Sequence, residues 1–318
     1  MTRPDPSFWK EKPVTVTGGR GFLGHALTGM LDDLGAAVTA PPSHEYDVRV
    51  AQATRALVDG AEIVFHLAGR VGGIGFNTRN PGPLAYDNLV MGCNVFEQGR
   101  LAETGKLVAA CSVCAYPKFV EVPFSEDDIW NGYPEESNAP YGVAKRMLIV
   151  LSEAYRRQYG FSSVVPVMAN LYGPHDNFDL EDSHVIAAMV RKFVEASDRR
   201  EPRVVLWGSG KPTREFLYVD DAARALLLMA ERHDSSDPVN IGTGRETSIA
   251  ELAETIAAAT GFEGEIVWDT SRPDGQRRRT LDVSRAEREF GFKAEIDLSE
   301  GIRRTVEYYR EHLAAAPA

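Results

Sequence analysis

Cysteine is scarce in this chain. Cys93, Cys111 and Cys114 are the only three in 318 residues, an odd number that excludes a fully paired disulfide scaffold and fits a reducing compartment. Long apolar runs are also missing. The stretch from Ala222 to Ala230 carries Arg224 inside it and falls short of the roughly 20 residues a membrane helix needs, so no membrane partner is expected. The first residues, Met1-Thr2-Arg3-Pro4-Asp5-Pro6-Ser7, hold no apolar leader core, which leaves the cytoplasm as the expected location. Positive charge is in deficit: a formal net charge of -11 argues against a nucleic-acid partner, whose footprint is basic. Any anionic ligand must therefore be met by local basic residues. The seven histidines include no pair at i, i+4, and no second Cys/His pair completes Cys111-x-x-Cys114. No metal is expected.

What is present reads as alternating strand and helix. Pro13 to Thr17 is a short buried strand; Gly18 to Gly24 turns into an amphipathic helix from His25 to Leu34; Gly35 ends it, and Ala36 to Ala40 is a second strand closed by Pro41-Pro42. Ile63 to Ala68, Leu107 to Cys111 and Ser163 to Val167 continue the series, with helical stretches between them. This alternation predicts an α/β fold with a Rossmann-type, doubly wound parallel sheet. After Pro174 the texture changes. Helices are expected near His184–Ser197, Ile249–Thr260 and Leu298–His312, and a strand at Val204–Leu206; Val239 to Gly244 is expected to return to the sheet. The division expected is a dinucleotide domain over 1–174 plus about 215–248, and a smaller, discontinuous substrate domain over 175–214 and 249–318. The alanine-rich tail, 314–318, is expected to fray.

Three glycines, Gly18-x-x-Gly21-x-x-Gly24, follow a strand and open a helix, so their backbone N–H groups and the helix dipole face a pyrophosphate. The place about 20 residues on, where Asp or Glu meets a free ribose 2′-OH, holds Pro41-Pro42-Ser43-His44, and Arg20 sits in the turn. Arg20 beside a 2′-phosphate favours NADP(H), with Glu45 the residue that speaks for NADH; Asp47-Val48 opens the adenine pocket. Tyr141 and Lys145 share a helix face, where the ammonium is expected to lower the phenol's pKa and hold a ribose. Ser112, at a strand end, supplies a hydroxyl for the same carbonyl oxygen. Cys114 and His184 form a separate thiol/imidazole pair; the bland alternatives are a small buried residue and a cap or core histidine. Gly208-Ser209-Gly210-Lys211 is not a phosphate loop, because Val205 and Pro212 break the pattern.

With these residues, the segments Leu67 to Ile74, Tyr86-Asp87-Asn88, Cys114 to Lys118, Asn170 to Phe178, Ser183-His184-Val185, Trp207 to Gly210, Arg214 to Leu217 and Trp268-Asp269 with Pro273-Asp274-Gly275 carry a resemblance. The chain resembles the extended short-chain dehydrogenase/reductases of nucleotide sugars, in particular their epimerase/reductase branch, from about Val14 to Asp282. That resemblance implies Ser112, Tyr141 and Lys145 for hydride chemistry, and Cys114 with His184 for epimerisation. It implies cofactor contacts from Gly18, Arg20, Gly21, Phe22, Leu23, Gly24, Asp47, Leu67, Ala68, Gly69, Asn88, Tyr141, Lys145, Asn170 and Leu171. For the sugar nucleotide it implies Val71, Asn177, His184, Lys192, Trp207, Arg214 and Arg279. Dehydratases of this group carry an acidic pair where Val113 and Cys114 stand, so water elimination is disfavoured. Two departures stand out: the family has Ser at the place of Val113 and Arg at that of Lys192.

The expected reaction is NADPH-dependent C3/C5 epimerisation and C4 reduction of a nucleotide-linked 4-keto-6-deoxyhexose, with a GDP-mannose derivative as best guess. A 4-ketoreductase, with one epimerisation or none, of a dTDP- or GDP-linked deoxysugar and a non-catalytic nucleotide-sugar or NADPH binder are the alternatives. The resemblance further implies a homodimer paired through the helical segments 86–105 and 142–159.

Overall fold

Valine and threonine alternate through Pro13–Thr17, and four of its five residues are buried, the continuous burial of a strand covered on both faces. The computed structural model describes residues 2–180, 182–272 and 274–313; the tail 314–318 and Pro273 lie outside them. Pro13–Thr17 pairs in parallel with Ala37–Thr39 on one side and Ile63–His66 on the other. Lys106–Ala109 follows, then Ser163–Val164. Two strands read as continuous are interrupted: Lys106–Ala109 resumes as Cys111–Ser112, and Ser163–Val164 resumes as Pro166–Met168. The second halves pair with each other, and Val239–Ile241 joins Pro166–Met168 at the edge, as its return to the sheet required. Pro166 lacks the N–H that a continuous ladder needs there.

Helices cover both faces. Phe22–Asp33 starts three residues earlier than its polarity pattern indicates, directly on the Gly21 cap. Pro81–Leu101 and Ala139–Tyr159 also begin earlier than expected, each with Pro in its first turn, where a missing N–H costs nothing. Ile249–Thr260 and Leu298–His312 have the expected limits. Glu265–Asp269, not anticipated as a strand, pairs in parallel with Arg203–Trp207.

Two clusters of buried apolar residues result. One surrounds the sheet with Val16, Phe65, Val108, Val167 and Leu227. The other gathers Tyr172, Ile186, Phe193, Leu206, Ile256 and Ile302. Short strands join them: Asn170–Tyr172 pairs with Phe216–Tyr218, and the Asn170 amide donates to the Glu215 carbonyl at 2.9 Å. Among the described residues, no helix is long and apolar enough to cross a membrane.

Candidate active site

The C-terminal ends of the parallel strands are the place where such sheets take ligands. Gly18 has φ +73°, and a Cβ there would lie 2.8 Å from the Ala68 amide nitrogen. At Gly24 a Cβ would fall on the Gly18 carbonyl oxygen, so the helix can approach the turn only with glycine in place. Gly21 caps Phe22–Asp33 without any side-chain hydrogen bond, leaving the first-turn N–H groups to a ligand. Arg20 reaches from this turn to the end of the second strand, its Nε 3.4 Å from the Ala40 carbonyl oxygen. The cradle fits a dinucleotide pyrophosphate, and a guanidinium at that strand end fits a phosphorylated ribose better than a bare one.

Ser112 ends its strand and caps the short turn Val113–Ala115, its hydroxyl accepting from the Cys114 N–H at 3.2 Å. The helix Ala139–Tyr159 lies on this turn so closely that a Cβ on Gly142 would fall on the Cys114 carbonyl. That contact carries Tyr141 toward Ser112, whose hydroxyl acts to lower the phenol's pKa. Lys145 donates to the Ala110 carbonyl at 3.0 Å, with its Nζ 5.8 Å from the centre of the Tyr141 ring. Burial pushes the Lys145 ammonium down to about 8. The phenol does not behave as expected: burial dominates and raises its pKa above the ordinary value, with the Cys114 and Cys111 thiols adding to the shift. Tyr141 is thus firmly protonated, which is the form a proton donor to a ketone oxygen requires.

The two nearby thiols differ sharply. Burial pushes Cys111 up to about 12, so it is inert. Cys114 is half-buried, and Arg279 approaches its sulfur with Nη1 at 3.6 Å. His184 caps the helix Val185–Asp198. Backbone packing holds the segment before it against Gly73: the Gly73 amide donates to the Asp182 carbonyl at 2.8 Å, and a Cβ on Gly73 would lie 2.5 Å from the Ser183 carbonyl oxygen. Although its surface is open to solvent, the surrounding protein holds the imidazole below its usual 6.5, so the ring rests neutral at neutral pH.

A third group is cationic. Arg214 donates to the Thr213 and Gln276 carbonyls, each at 2.7 Å. Burial, with Arg279 beside it, pushes Arg214 down to about 10. Neither Arg214 nor Arg279 meets a carboxylate among the described residues, although both are at least half-buried. Trp207 stands 65% exposed, with the Lys192 Nζ 5.8 Å and the Arg272 guanidinium 5.0 Å from its ring centre. An open aromatic face beside cations suits a stacked base and its phosphates.

The family model for the NAD dependent epimerase/dehydratase family matches residues 14–242. The chain belongs to this family. Among its curated relatives is the probable GDP-L-fucose synthase 1 of Oryza sativa subsp. japonica, 38% identical over 99% of this chain and 98% of the relative. The GDP-L-fucose synthase of Escherichia coli (strain K12) is also 38% identical, over 94% of this chain and 97% of its own length. Of solved structures, a GDP-6-OMe-4-keto-L-xylo-heptose reductase from C. jejuni superposes with a TM-score of 0.90 at 28% identity, covering 98% of this chain and 99% of that one. A GDP-L-fucose synthetase from Naegleria fowleri bound to NADP does so with a TM-score of 0.87 at 31% identity, covering 99% and 97%. The fold and family expected from the motifs are those found.

Several residues expected at the cofactor and the substrate carry contacts within this epimerase/dehydratase chain. Asp47 is held by Arg49 at 2.7 Å. The Asn88 amide donates to the Arg70 and Leu84 carbonyls and accepts from the Arg70 N–H; its groups are spent on shaping the 69–71 loop. Asn177 is exposed, its side-chain oxygen accepting from the Asp179 N–H, and Val71 is exposed as well. Sequence reasoning missed Arg272, Gln276 and Glu215. The buried Glu215 carboxylate accepts from the Thr243, Gly244 and Leu281 amides at 2.5, 2.8 and 2.7 Å, which fixes Arg214 next to it and the strand end after Arg279. Asp274 accepts from the Ser209 amide and hydroxyl at 2.6 and 2.8 Å, locking two matched motifs together. Glu215 lay within a matched motif and Gln276 just past one; only their contacts identify their work.

Proposed function

We propose that this chain is an NADPH-dependent epimerase/reductase that converts GDP-4-keto-6-deoxy-D-mannose to GDP-L-fucose. The observation that carries the reading is the Cys114 thiol on the same turn as Ser112 and under the Tyr141 helix. A plain ketoreductase uses the hydroxyl, phenol and ammonium but has no use for a thiol there. The activity named for the rice and Escherichia coli relatives supports it.

The C4 ketone acidifies the C–H bonds at C3 and C5. The Cys114 thiolate takes a proton from one of these carbons and becomes the thiol; the C–H electron pair moves into an enolate whose charge rests on the C4 oxygen. Ser112 and Tyr141 donate hydrogen bonds to that oxygen. His184, in the minor imidazolium form that it draws from water, returns a proton to the opposite face and becomes neutral again, and both groups re-equilibrate with water before the second centre reacts. At the closing reduction Tyr141 gives its proton to the C4 oxygen, and the Lys145 ammonium stabilises the phenolate left behind. NADPH, when bound, supplies the hydride; the glycine turn with Arg20, Leu67 to Gly69, Lys145, Asn170 and Leu171 hold it. Lys192, Arg214 and Trp207 take the nucleotide diphosphate, within a lobe built on the second apolar cluster from Val185–Asp198, Arg203–Trp207, Ile249–Thr260 and Leu298–His312, whereas Leu281, Ala286, Phe290 and Phe292, expected in that lobe, pack on the sheet cluster.

The assembly is a homodimer through Pro81–Leu101 and Ala139–Tyr159, whose outer faces leave Tyr86, Leu101, Val150 and Tyr159 exposed, and its place is the cytoplasm, where three free thiols stay reduced.

The test is incubation in D2O with NADPH and, in parallel, GDP- and dTDP-linked 4-keto-6-deoxyhexoses, reading NADPH loss by absorbance and product deuteration by NMR. Deuterium at C3 and C5 of a GDP-linked product is the expected result. NADPH loss without deuteration favours the second reading, a GDP-sugar 4-ketoreductase such as the activity named for the C. jejuni structure; binding without turnover overturns both.

A further inference from the structure

Arg279 is 8% exposed, yet no carboxylate among the described residues meets it. Its Nε and Nη2 are both committed to the Gln276 side-chain oxygen, at 3.2 and 2.7 Å, and Gln276 in turn donates to the Lys118 carbonyl at 3.2 Å. The remaining nitrogen, Nη1, points at the Cys114 sulfur at 3.6 Å. A buried guanidinium held in a fixed orientation, with its free edge on a half-buried thiol, is a poor choice for a mobile diphosphate. It is a good choice for a sulfur anion. We propose that Arg279 is the positioning counter-ion of the Cys114 thiolate, with Gln276 as the clamp that aims it, rather than a ligand of the nucleotide diphosphate.

The role rests on the epimerase/reductase reading for its use in catalysis, but the ion pair itself does not. Arg279 moves no proton: it remains a cation while Cys114 cycles between thiolate and thiol, so it holds the sulfur's charge before C–H cleavage and aims the thiol after it. The other titratable groups around that sulfur are Cys111 on the preceding strand, Tyr141 on the overlying helix and Arg214, which itself feels Glu135. Arg214 adds positive charge nearby, but its side-chain hydrogen bonds go to backbone carbonyls. This division of labour leaves Lys192, Arg214 and the Trp207 face for the sugar nucleotide.

The experiment uses the full chain in a Cys93→Ser background, which removes the exposed thiol, and follows iodoacetamide labelling of Cys114 at fixed neutral pH by peptide mass spectrometry. Thermal unfolding of each variant checks that it is folded. Arg279→Gln is expected to slow labelling about tenfold or more, the effect of losing an opposite charge at this range, while Arg279→Lys recovers most of the rate. Arg278→Gln, which removes a neighbouring guanidinium paired with Glu246, leaves labelling unchanged. Equal rates in the parent and folded Arg279→Gln overturn the proposal, as does an equal loss in Arg278→Gln. No sugar is present in this assay, so its failure leaves the epimerase/reductase reading standing. Conversely, a paired thiolate with no deuterium entering the sugar removes that reading and keeps the pair.

Discussion

Burial at Tyr141 and Lys145 decides how the two residues divide their work. The phenol is pushed above its usual range and the ammonium down to about 8, so Lys145 loses its proton first as pH rises. Reduction at C4 should therefore fall on an alkaline limb beginning near pH 8, because the neutral amine no longer stabilises the tyrosinate left after proton transfer. A pH profile of single-turnover NADPH oxidation checks this; a flat profile through that region removes Lys145 from the role. Two substitutions separate the two chemistries. Tyr141→Phe is expected to slow NADPH oxidation by about 10²–10⁴ while solvent exchange at C3 and C5 persists. Cys114→Ser is expected to stop that exchange by a similar factor with NADPH affinity intact, and normal product formation by it would rule out the assigned base.

At the level of elements, one contact assembles the reaction centre. The helix Ala139–Tyr159 meets the turn Val113–Ala115 at Gly142, where no Cβ fits against the Cys114 carbonyl. Gly142→Ala must push helix and turn apart, because the obstructing atom is backbone. The expected cost is about 1–3 kcal/mol of stability, seen by denaturant unfolding, together with a loss of both exchange and reduction out of proportion to it. If Gly142→Ala kept full activity, the helix would not be what sets Tyr141 against Ser112. The helices were largely legible from their apolar spacing and Pro starts, but the Tyr141 contact was not: glycine inside a helix looks like a weakness until its neighbour is known.

Across the whole molecule, the pair Asp221 and Arg224 ties the C-terminal segment to the sheet domain. Arg224 donates to Asp221 at 2.7 Å and to the Thr2 and Lys293 carbonyls, while Asp221 accepts from the Glu295 and Ile296 amides. Both are nearly inaccessible, so Arg224→Met leaves a buried carboxylate without its cation and is expected to cost about 3–5 kcal/mol, measured by denaturant unfolding. Acid sensitivity is likewise global. His66 is fully buried against Thr17, with its Nδ1 2.9 Å from the hydroxyl, and burial with Lys145 nearby pushes it from 6.5 to about 3. The unfolded chain takes up a proton that the folded one refuses. The stability from neutral His66 is therefore fully present above about pH 6.5 and is lost as pH falls toward 3. His66→Asn should flatten the decline of unfolding free energy across that window; an unchanged slope assigns the acid sensitivity to other groups.

By itself the sequence determined the strand–turn–helix series, the glycine cradle, the Ser112, Tyr141 and Lys145 set and the family, because each is written in local periodicity or in short motifs whose chemistry is intrinsic. Only the tertiary structure decided which charges those residues feel. It occupied Asp47 with Arg49 and Asn88 with the 69–71 loop, split two strands around Ala110 and Val165, raised the Tyr141 phenol where a neighbouring ammonium was expected to lower it, and brought Arg279 to a sulfur 165 residues away. Burial and long-range contact set a side chain's pKa and partners, and neither leaves a period in the chain.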